Sequence, residues 1–166
     1  MNEEDLTKTT ATLALGRRGE ELAAQYLETV GYALVAANFT LPIGRNLRGV
    51  IVNAEIDMVA YDGATLCFIE VKTRASDWFA PPEANVDLRK QRQVTRAARA
   101  YRRLFGLIGT PYRFDVISVT LSPVDAHASP VDAHAPSTSP HIEIFKNYWT
   151  DNKFRKQKWS DIHFDY

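Results

Sequence analysis

Cysteine is scarce in this chain of 166 residues, which contains only Cys67. A single cysteine excludes a fold held together by disulfides, and its place in an apolar run predicts a buried, unreactive thiol. No uncharged run is long enough to cross a bilayer, and the acidic residues near the N-terminus are unlike a secretory signal. These absences predict a soluble protein of the reducing cytoplasm with no membrane partner.

An excess of one charge sign is also missing, because 20 Lys and Arg residues balance 20 Asp and Glu residues. The total charge therefore gives no reason to expect a polyanionic partner. The distribution differs from the total: the segment from Arg89 to Arg103 contains seven Lys or Arg residues and no acid. This local basicity makes the segment a candidate contact surface for nucleic acid.

An apolar fraction of 45% and a charged fraction of 24% over this length predict one globular domain. We expect the domain to span residues 15–149, between a flexible N-terminal arm at 1–14 and a C-terminal tail at 150–166. The heptapeptide SPVDAHA occurs twice in tandem at residues 122–135. Its composition and the Ser- and Pro-rich residues that follow cannot form a core, which predicts a flexible surface insert over residues 122–140.

Two helices are indicated by apolar residues at three- and four-residue spacing. The first is predicted from about Leu15 to Val30, and Glu20 lies at the margin of its buried stripe, where a carboxylate can reach into a cleft. The second is predicted from about Asp87 to Phe105, with Asp87 as its N-cap.

The second helix carries arginines on the face opposite its apolar stripe, namely Arg89, Arg92, Arg96, Arg99 and Arg103. A charged face is usually just solvated helix surface. Such faces normally mix both signs of charge, however, and this one contains no acid. Rows of arginine suit phosphate contacts, so we predict that this face binds nucleic acid, and that Arg17 and Arg18 extend the surface.

Apolar runs predict strands at residues 32–39, 55–60, 66–73, 113–121 and 141–146. A turn at Asp62-Gly63 joins the second of these strands to the third as a hairpin. The segment 40–53 contains Pro42, Gly44 and Gly49 and is predicted to be a loop. Strands and helices in this order predict an α/β domain.

Acidic and basic residues on the hairpin strands form the candidate catalytic group. Glu70 and Lys72 project from the same face of their strand, because side chains alternate along a strand, and Asp57 can be brought opposite them. Carboxylates of this kind hold Mg²⁺ or Mn²⁺ for phosphodiester hydrolysis, and a nearby lysine can orient water or offset phosphate charge. Glu20 could add a further metal ligand. A strand with an acid and a lysine on an exposed face is common, but the apolar residues around Glu70 predict a central strand, where both need a partner or a function.

The order of the motifs resembles that of the YraN-like family of predicted endonucleases. The matching motifs are GRRGEELAAQYL (16–27), ANF (37–39), EIDMVA (55–60), FIEVKTR (68–74), RKQRQVTRAARAY (89–101) and RFDVISV (113–119). The resemblance spans about Leu15 to Lys146, whereas Ala54 replaces a common glycine and the tandem insert and C-terminal tail look additional.

The resemblance implies a restriction-endonuclease-like fold, with a mixed central sheet flanked by helices, and a likeness to Holliday-junction resolvases and the PD-(D/E)xK nucleases. It implies that Asp57 and Glu70 are the two acids of the motif, Lys72 its lysine and Glu20 the helix glutamate. The expected function is Mg²⁺- or Mn²⁺-dependent cleavage of DNA, including branched or otherwise structured DNA. Resolvase-like enzymes also work as homodimers, although no self-complementary pattern in this sequence indicates one.

The sequence is also compatible with two other functions. The domain could bind nucleic acid without turnover, in which case the arginines matter and the carboxylates do not. It could instead be a protein-interaction domain whose arginine face meets an acidic partner, and then duplex, branched and single-stranded DNA would all fail to bind.

Overall fold

The computed structural model describes residues 3–75, 86–121 and 139–154. Its elements are α1 (Glu3–Thr29), β1 (Ala33–Arg45), β2 (Ile51–Asp62), β3 (Thr65–Ala75), α2 (Leu88–Leu104), β4 (Tyr112–Leu121), β5 (His141–Trp149) and a 3-10 helix (Asp151–Phe154). Most of the predicted insert, residues 122–138, and the tail beyond Phe154 lie outside the described residues. None of the helices in the described ranges is long and apolar enough to cross a membrane.

The five strands form one sheet in chain order, from β1 to β5. The pairs β1–β2, β2–β3 and β4–β5 are antiparallel, while β3 and β4 are parallel. Parallel neighbours need a crossover connection, and α2 lies in the segment that joins them. The predicted α/β class with a mixed central sheet is confirmed.

The sheet separates two apolar clusters because successive side chains of β3 point to opposite faces. On one face, Phe68 packs with Tyr101 of α2 and with Phe114 of β4. On the other face, Ile69 packs with Leu27 of α1. The helices α1 and α2 therefore cover opposite faces of the sheet.

Cys67 is fully buried on the α1 face, which confirms the prediction of a buried thiol. Burial raises the pKa of Cys67 to about 12, so the reactive thiolate is not formed at neutral pH.

The predicted loop over residues 40–53 is wrong, because β1 continues to Arg45 and β2 begins at Ile51. Pro42 is compatible with this strand because β1 is an edge strand that pairs only with β2. A proline, which lacks a backbone N–H, is tolerated there because no strand on the outer side needs that hydrogen bond. The actual turn is short. The Asn46 side chain closes it by accepting hydrogen bonds from the backbone N–H groups of Arg48 and Val50, at 2.9 and 3.0 Å.

The predicted start of the first helix near Leu15 is also wrong, because α1 begins at Glu3. The side chains of residues 9–14 are exposed, so this part of the helix has no buried stripe for periodicity to detect. Residues 3–14 of the predicted N-terminal arm are therefore helical.

Gly19 lets α1 approach β3 closely. A Cβ atom at Gly19 would lie 1.8 Å from Oγ1 and 2.7 Å from Cβ of Thr73, so no rotamer of Thr73 removes the overlap. A Cβ atom at Gly16, in the same helix, would meet nothing within 4 Å. Close packing therefore requires a glycine at position 19 and does not require one at position 16.

We predict that Gly19→Ala destabilises the fold by about 2 kcal/mol through overpacking. Gly16→Ala is the matched control and should stabilise the helix by about 0.5–1 kcal/mol, because alanine loses less backbone entropy than glycine. Urea unfolding of both variants measures the difference. Equal effects of the two substitutions would contradict the close approach at Thr73.

Asp62 joins two cations at the opposite end of the β2–β3 hairpin from Asp57 and Glu70. Its Oδ2 lies 2.6 Å from Nη2 of Arg113 and 2.9 Å from Nζ of Lys146. The hydrogen bonds from Lys146 and Arg113 lower the pKa of Asp62 to about 2. Because a lowered carboxyl pKa stabilises the fold only while the group is ionised, this contribution is present above about pH 4 and is lost towards pH 2.

We predict that Asp62→Asn lowers the free energy of unfolding at pH 7 by about 1 kcal/mol or less, since the carboxylate is partly exposed. The difference from wild type should shrink as the pH falls from 4 to about 2. Unfolding curves at several pH values test this. A difference that stays constant down to pH 2 would argue against an ionised Asp62 as its cause.

Candidate active site

The strands β2 and β3 part at one point, and the candidate site lies there. Their paired register runs from Asp62–Thr65 to Met58–Ile69, and the next residues along each strand are Asp57 and Glu70. Oδ2 of Asp57 accepts a hydrogen bond from the backbone N–H of Val71 at 2.8 Å. A side chain thus satisfies a backbone donor next to the opening between the strands.

Glu70 points to the α2 face of the sheet, as Phe68 does two residues earlier. Its side chain is only 2% exposed, and its Oε1 accepts a hydrogen bond from Nζ of Lys72 at 2.9 Å. The predicted partnership of Glu70 and Lys72 is therefore present in the structure.

A second lysine, Lys90, completes the cluster. Its Nζ lies 3.3 Å from Oδ1 of Asp57 and 3.1 Å from Oε2 of Glu70. Lys90 occupies the first turn of α2, and the predicted N-cap Asp87 is confirmed there, since its side chain accepts a hydrogen bond from the backbone N–H of Lys90 at 2.8 Å. Asp57, Glu70, Lys72 and Lys90 are called the acid–lysine cluster below.

Burial has the largest effect on the pKa of Glu70. It raises the pKa of Glu70, the negative charge of Asp57 raises it further, and Lys90 and Lys72 oppose both effects. The two carboxylates raise the pKa of Lys90 despite its partial burial. Lys90 Nζ lies close enough to Glu70 Oε2 to form an ion pair, but the angles do not fit a hydrogen bond. This buried oxygen therefore has no hydrogen-bond partner among the described residues.

The cluster offers two carboxylates to a cation, from Asp57 and Glu70. Two carboxylates with water are sufficient for Mg²⁺, which keeps several waters in protein sites, and the buried Glu70 Oε2 lacks a hydrogen-bond donor. Across the described ranges, no group of three or more His, Cys, Asp or Glu side chains could hold a metal ion. The donor set therefore fits a hydrated hard cation and does not form a closed protein cage.

Glu20 lies on α1, which packs on the other face of the sheet from Glu70. In the described part of the chain, no hydrogen bond or ion pair joins Glu20 to the acid–lysine cluster. The adjacent Arg17 and Arg18 are on the same helix, and Arg18 lies 3.4 Å from Glu21. The role of Glu20 as a metal ligand and the extension of the arginine surface to α1 stay predictions.

The predicted arginine stripe on α2 divides into solvent-facing and structural members. Arg89, Arg92 and Arg103 lie towards solvent. Arg96 is exposed but donates a hydrogen bond to the carbonyl oxygen of Ile43 at 2.6 Å. Arg99 is half-buried and is held by Asp151, which it contacts through Nε at 2.7 Å.

The contact between Arg99 and Asp151 anchors the 3-10 helix beside α2. Asp151 also accepts a hydrogen bond from the Tyr112 hydroxyl at 2.8 Å. The tail that follows β5 therefore begins as a docked turn. Arg99 contributes to the architecture of this corner, whereas Arg89 and Arg92 remain the solvent-facing cations nearest to the acid–lysine cluster in the chain.

Sequence reasoning missed Lys90, which enters the prediction only as one more charge in the basic segment. Its spacing offered a signal, because Lys90 precedes the buried Val94 by four residues and so lies towards the apolar face of α2. The network of Arg113 with the fully buried Asp115 was missed as well; Nε of Arg113 lies 2.9 Å from Asp115. An acid and a base two residues apart on a strand share a face, which indicates such a pair.

The described residues thus define an α/β protein with a five-stranded mixed sheet and an acid–lysine cluster where two strands part. The family model described as "Uncharacterised protein family UPF0102" matches residues 19–119. This chain belongs to that family. The matched range contains Glu20 and the whole acid–lysine cluster.

Individual relatives agree with this assignment. A UPF0102 protein of Geobacter sulfurreducens is 43% identical over 112 residues, which cover 68% of this chain and 80% of that protein. A UPF0102 protein of Chlorobium chlorochromatii is 41% identical over 133 residues, which cover 80% of this chain and 91% of the relative.

We predict that Asp57→Ala destabilises the fold by about 2 kcal/mol, because the N–H of Val71 loses its acceptor next to the sheet. Asp57→Asn keeps an acceptor oxygen and should lose much less stability. Thermal or urea unfolding measures both variants. If Asp57→Asn is as unstable as Asp57→Ala, the hydrogen bond to Val71 does not carry the effect.

Proposed function

We propose that this protein is a metal-dependent endonuclease that hydrolyses phosphodiester bonds in DNA, including branched or structured DNA. One observation carries the proposal: carboxylate oxygens of Asp57 and Glu70 lie within 3.3 Å of the same Lys90 nitrogen, at the point where β2 and β3 part. A buried acid and a largely buried acid that share one cation position form a donor set that suits a hydrated Mg²⁺.

Asp57 and Glu70 would hold Mg²⁺ or Mn²⁺, with Glu20 as the further ligand that the family resemblance implies. The bound ion would neutralise phosphate charge and lower the pKa of the attacking water. Lys72 stands beside Glu70 with its side chain 33% exposed, so it can contact water or a phosphate oxygen from the solvent side. Asp57 in addition fixes the strand opening through Val71.

The architecture supports a restriction-endonuclease-like fold. The resemblance to PD-(D/E)xK nucleases implies a mixed sheet with a helix on each face. It also implies acids on the two hairpin strands and a lysine two residues after the second acid. The structure agrees with this arrangement. That resemblance also supports a homodimer as part of this proposal, and the single, buried Cys67 supports a cytoplasmic location.

The exposed cations of α2 support DNA as the partner. Arg89 and Arg92 are exposed and lie one turn or less from Lys90 in α2, so they are cations that a phosphate backbone near the cluster could contact. Contacts of this kind are independent of sequence and sensitive to salt.

A nucleic-acid-binding module without turnover is the second candidate. The observation that favours it is the electrical balance of the cluster, in which Lys72 and Lys90 already compensate Asp57 and Glu70. Binding without cleavage in the presence of either metal would decide for this alternative.

We predict that the protein cleaves labelled four-way, flapped or linear DNA in Mg²⁺ or Mn²⁺, and that Asp57→Asn and Glu70→Gln each reduce the rate by about a thousandfold. Glu28→Gln, an exposed acid of α1, is the control and should cleave as wild type does. Gel assays measure the rates, with EDTA as the metal-free arm. Cleavage that survives in both site variants would reject the assigned residues.

We further predict that the double variant Arg89→Gln and Arg92→Gln weakens DNA binding, because each arginine that neutralises a phosphate releases a counterion. The slope of log Kd against log salt should fall by about 1 for each such arginine removed. Fluorescence anisotropy at several salt concentrations measures both quantities. Lys146→Gln is a single-charge control at the far end of the β2–β3 hairpin, and it should leave the salt slope unchanged. An unchanged salt slope in the double variant would mean that α2 does not contact the DNA backbone.

A further inference from the structure

The four carboxylate oxygens of Asp57 and Glu70 divide into two pairs. The outer pair is engaged, because Asp57 Oδ2 accepts from the N–H of Val71 and Glu70 Oε1 accepts from Lys72. The inner pair, Asp57 Oδ1 and Glu70 Oε2, faces Nζ of Lys90 at 3.3 and 3.1 Å. In residues 3–75, 86–121 and 139–154, the inner oxygens have no partner other than Lys90.

The inner oxygens are therefore the ones most open to an added cation that bridges the two strands. The position between them already contains the Lys90 ammonium, which carries one positive charge. Two carboxylates held so close repel each other when no cation separates them, and water screens them little, because their side chains are only 13% and 2% exposed. Lys90 thus supplies in the metal-free protein the compensation that a divalent ion would supply in the loaded protein.

Lys90 can leave this position without any movement of its backbone. Its backbone is fixed by the Asp87 cap, but its side chain is 29% exposed and reaches the carboxylates through a flexible four-carbon stem. The outer contacts of Asp57 and Glu70 do not involve Lys90. A change of side-chain rotamer is therefore sufficient to clear the space between the inner oxygens.

We propose that Lys90 is a displaceable occupant of the metal position, and that a divalent cation binds by expelling its ammonium from between Asp57 and Glu70. This inference rests on the metal site of the proposed function. It predicts that the affinity for the metal ion is set partly by the cost of breaking the two Lys90 contacts. Lys90 is on this account a residue that limits metal affinity, and it is not a metal ligand.

The test is a titration of Mn²⁺ alone into wild type and Lys90→Met by isothermal calorimetry, without DNA. Methionine has a similar length and no charge, so Lys90→Met should bind Mn²⁺ about tenfold more tightly or better, since no ion pair has to be broken. Arg48→Met removes one positive charge from the exposed β1–β2 turn and should bind as wild type does.

Thermal unfolding gives an independent readout. Without metal, Lys90→Met should melt below wild type, because the Asp57 and Glu70 carboxylates lose their shared cation. Saturating Mn²⁺ should raise its Tm by more than it raises that of wild type, because tighter binding to the folded state stabilises more. Lys90→Gln, which keeps a hydrogen-bond donor, serves if the methionine variant does not fold and should show the same direction.

The outcomes separate this inference from the proposed function. If wild type binds Mn²⁺ and both Lys90 variants bind with equal or weaker affinity, Lys90 is not a competitor and this inference is wrong, while the metal site stands. If wild type and the Lys90 variants all fail to bind, or if Asp57→Asn and Glu70→Gln leave binding unchanged, the metal site itself is wrong and both proposals fall.

Discussion

The separation of β2 and β3 beyond Met58 and Ile69 is the constraint on which the candidate site depends. If β2 and β3 stayed paired beyond this point, the N–H of Val71 would have a backbone acceptor and would not need the Asp57 side chain. The Asp57 carboxylate instead takes the hydrogen bond of the Val71 N–H, which leaves its second oxygen directed towards Glu70 and Lys90. One side chain therefore satisfies a backbone donor at the opening and also presents an oxygen to the acid–lysine cluster.

Charge balance is the second constraint. Glu70 is almost completely buried, and a carboxylate in such a place is tolerated only with compensating cations. Lys72 approaches from its own strand and Lys90 from α2, so the sheet and the helix both have to be in place before the cluster is neutral. The close packing of α1 at Gly19 and Thr73 holds the other face of the same strand.

The sequence was sufficient to predict the α/β class, the order of the main elements, the Asp87 cap and the meeting of Glu70 with Lys72. These features follow from local periodicity, and strand alternation fixes which residues share a face. The extension of β1 through Pro42 could not be predicted, because edge-strand tolerance of proline depends on which neighbours the sheet provides. The helical start at Glu3 was missed because residues 9–14 are exposed and give this part of the helix no buried stripe. Lys90 was missed because its role depends on where α2 docks, which is a tertiary fact.

The central claim is that Asp57 and Glu70 share one divalent cation at the strand opening. The most direct measurement is a crystal structure of the protein soaked in Mn²⁺, with anomalous differences collected to locate the ion. The account predicts a peak between Asp57 Oδ1 and Glu70 Oε2, with the Lys90 side chain moved out of that position. Crystals in which Lys90 still bridges the two carboxylates at saturating Mn²⁺, with no anomalous peak beside them, would contradict it.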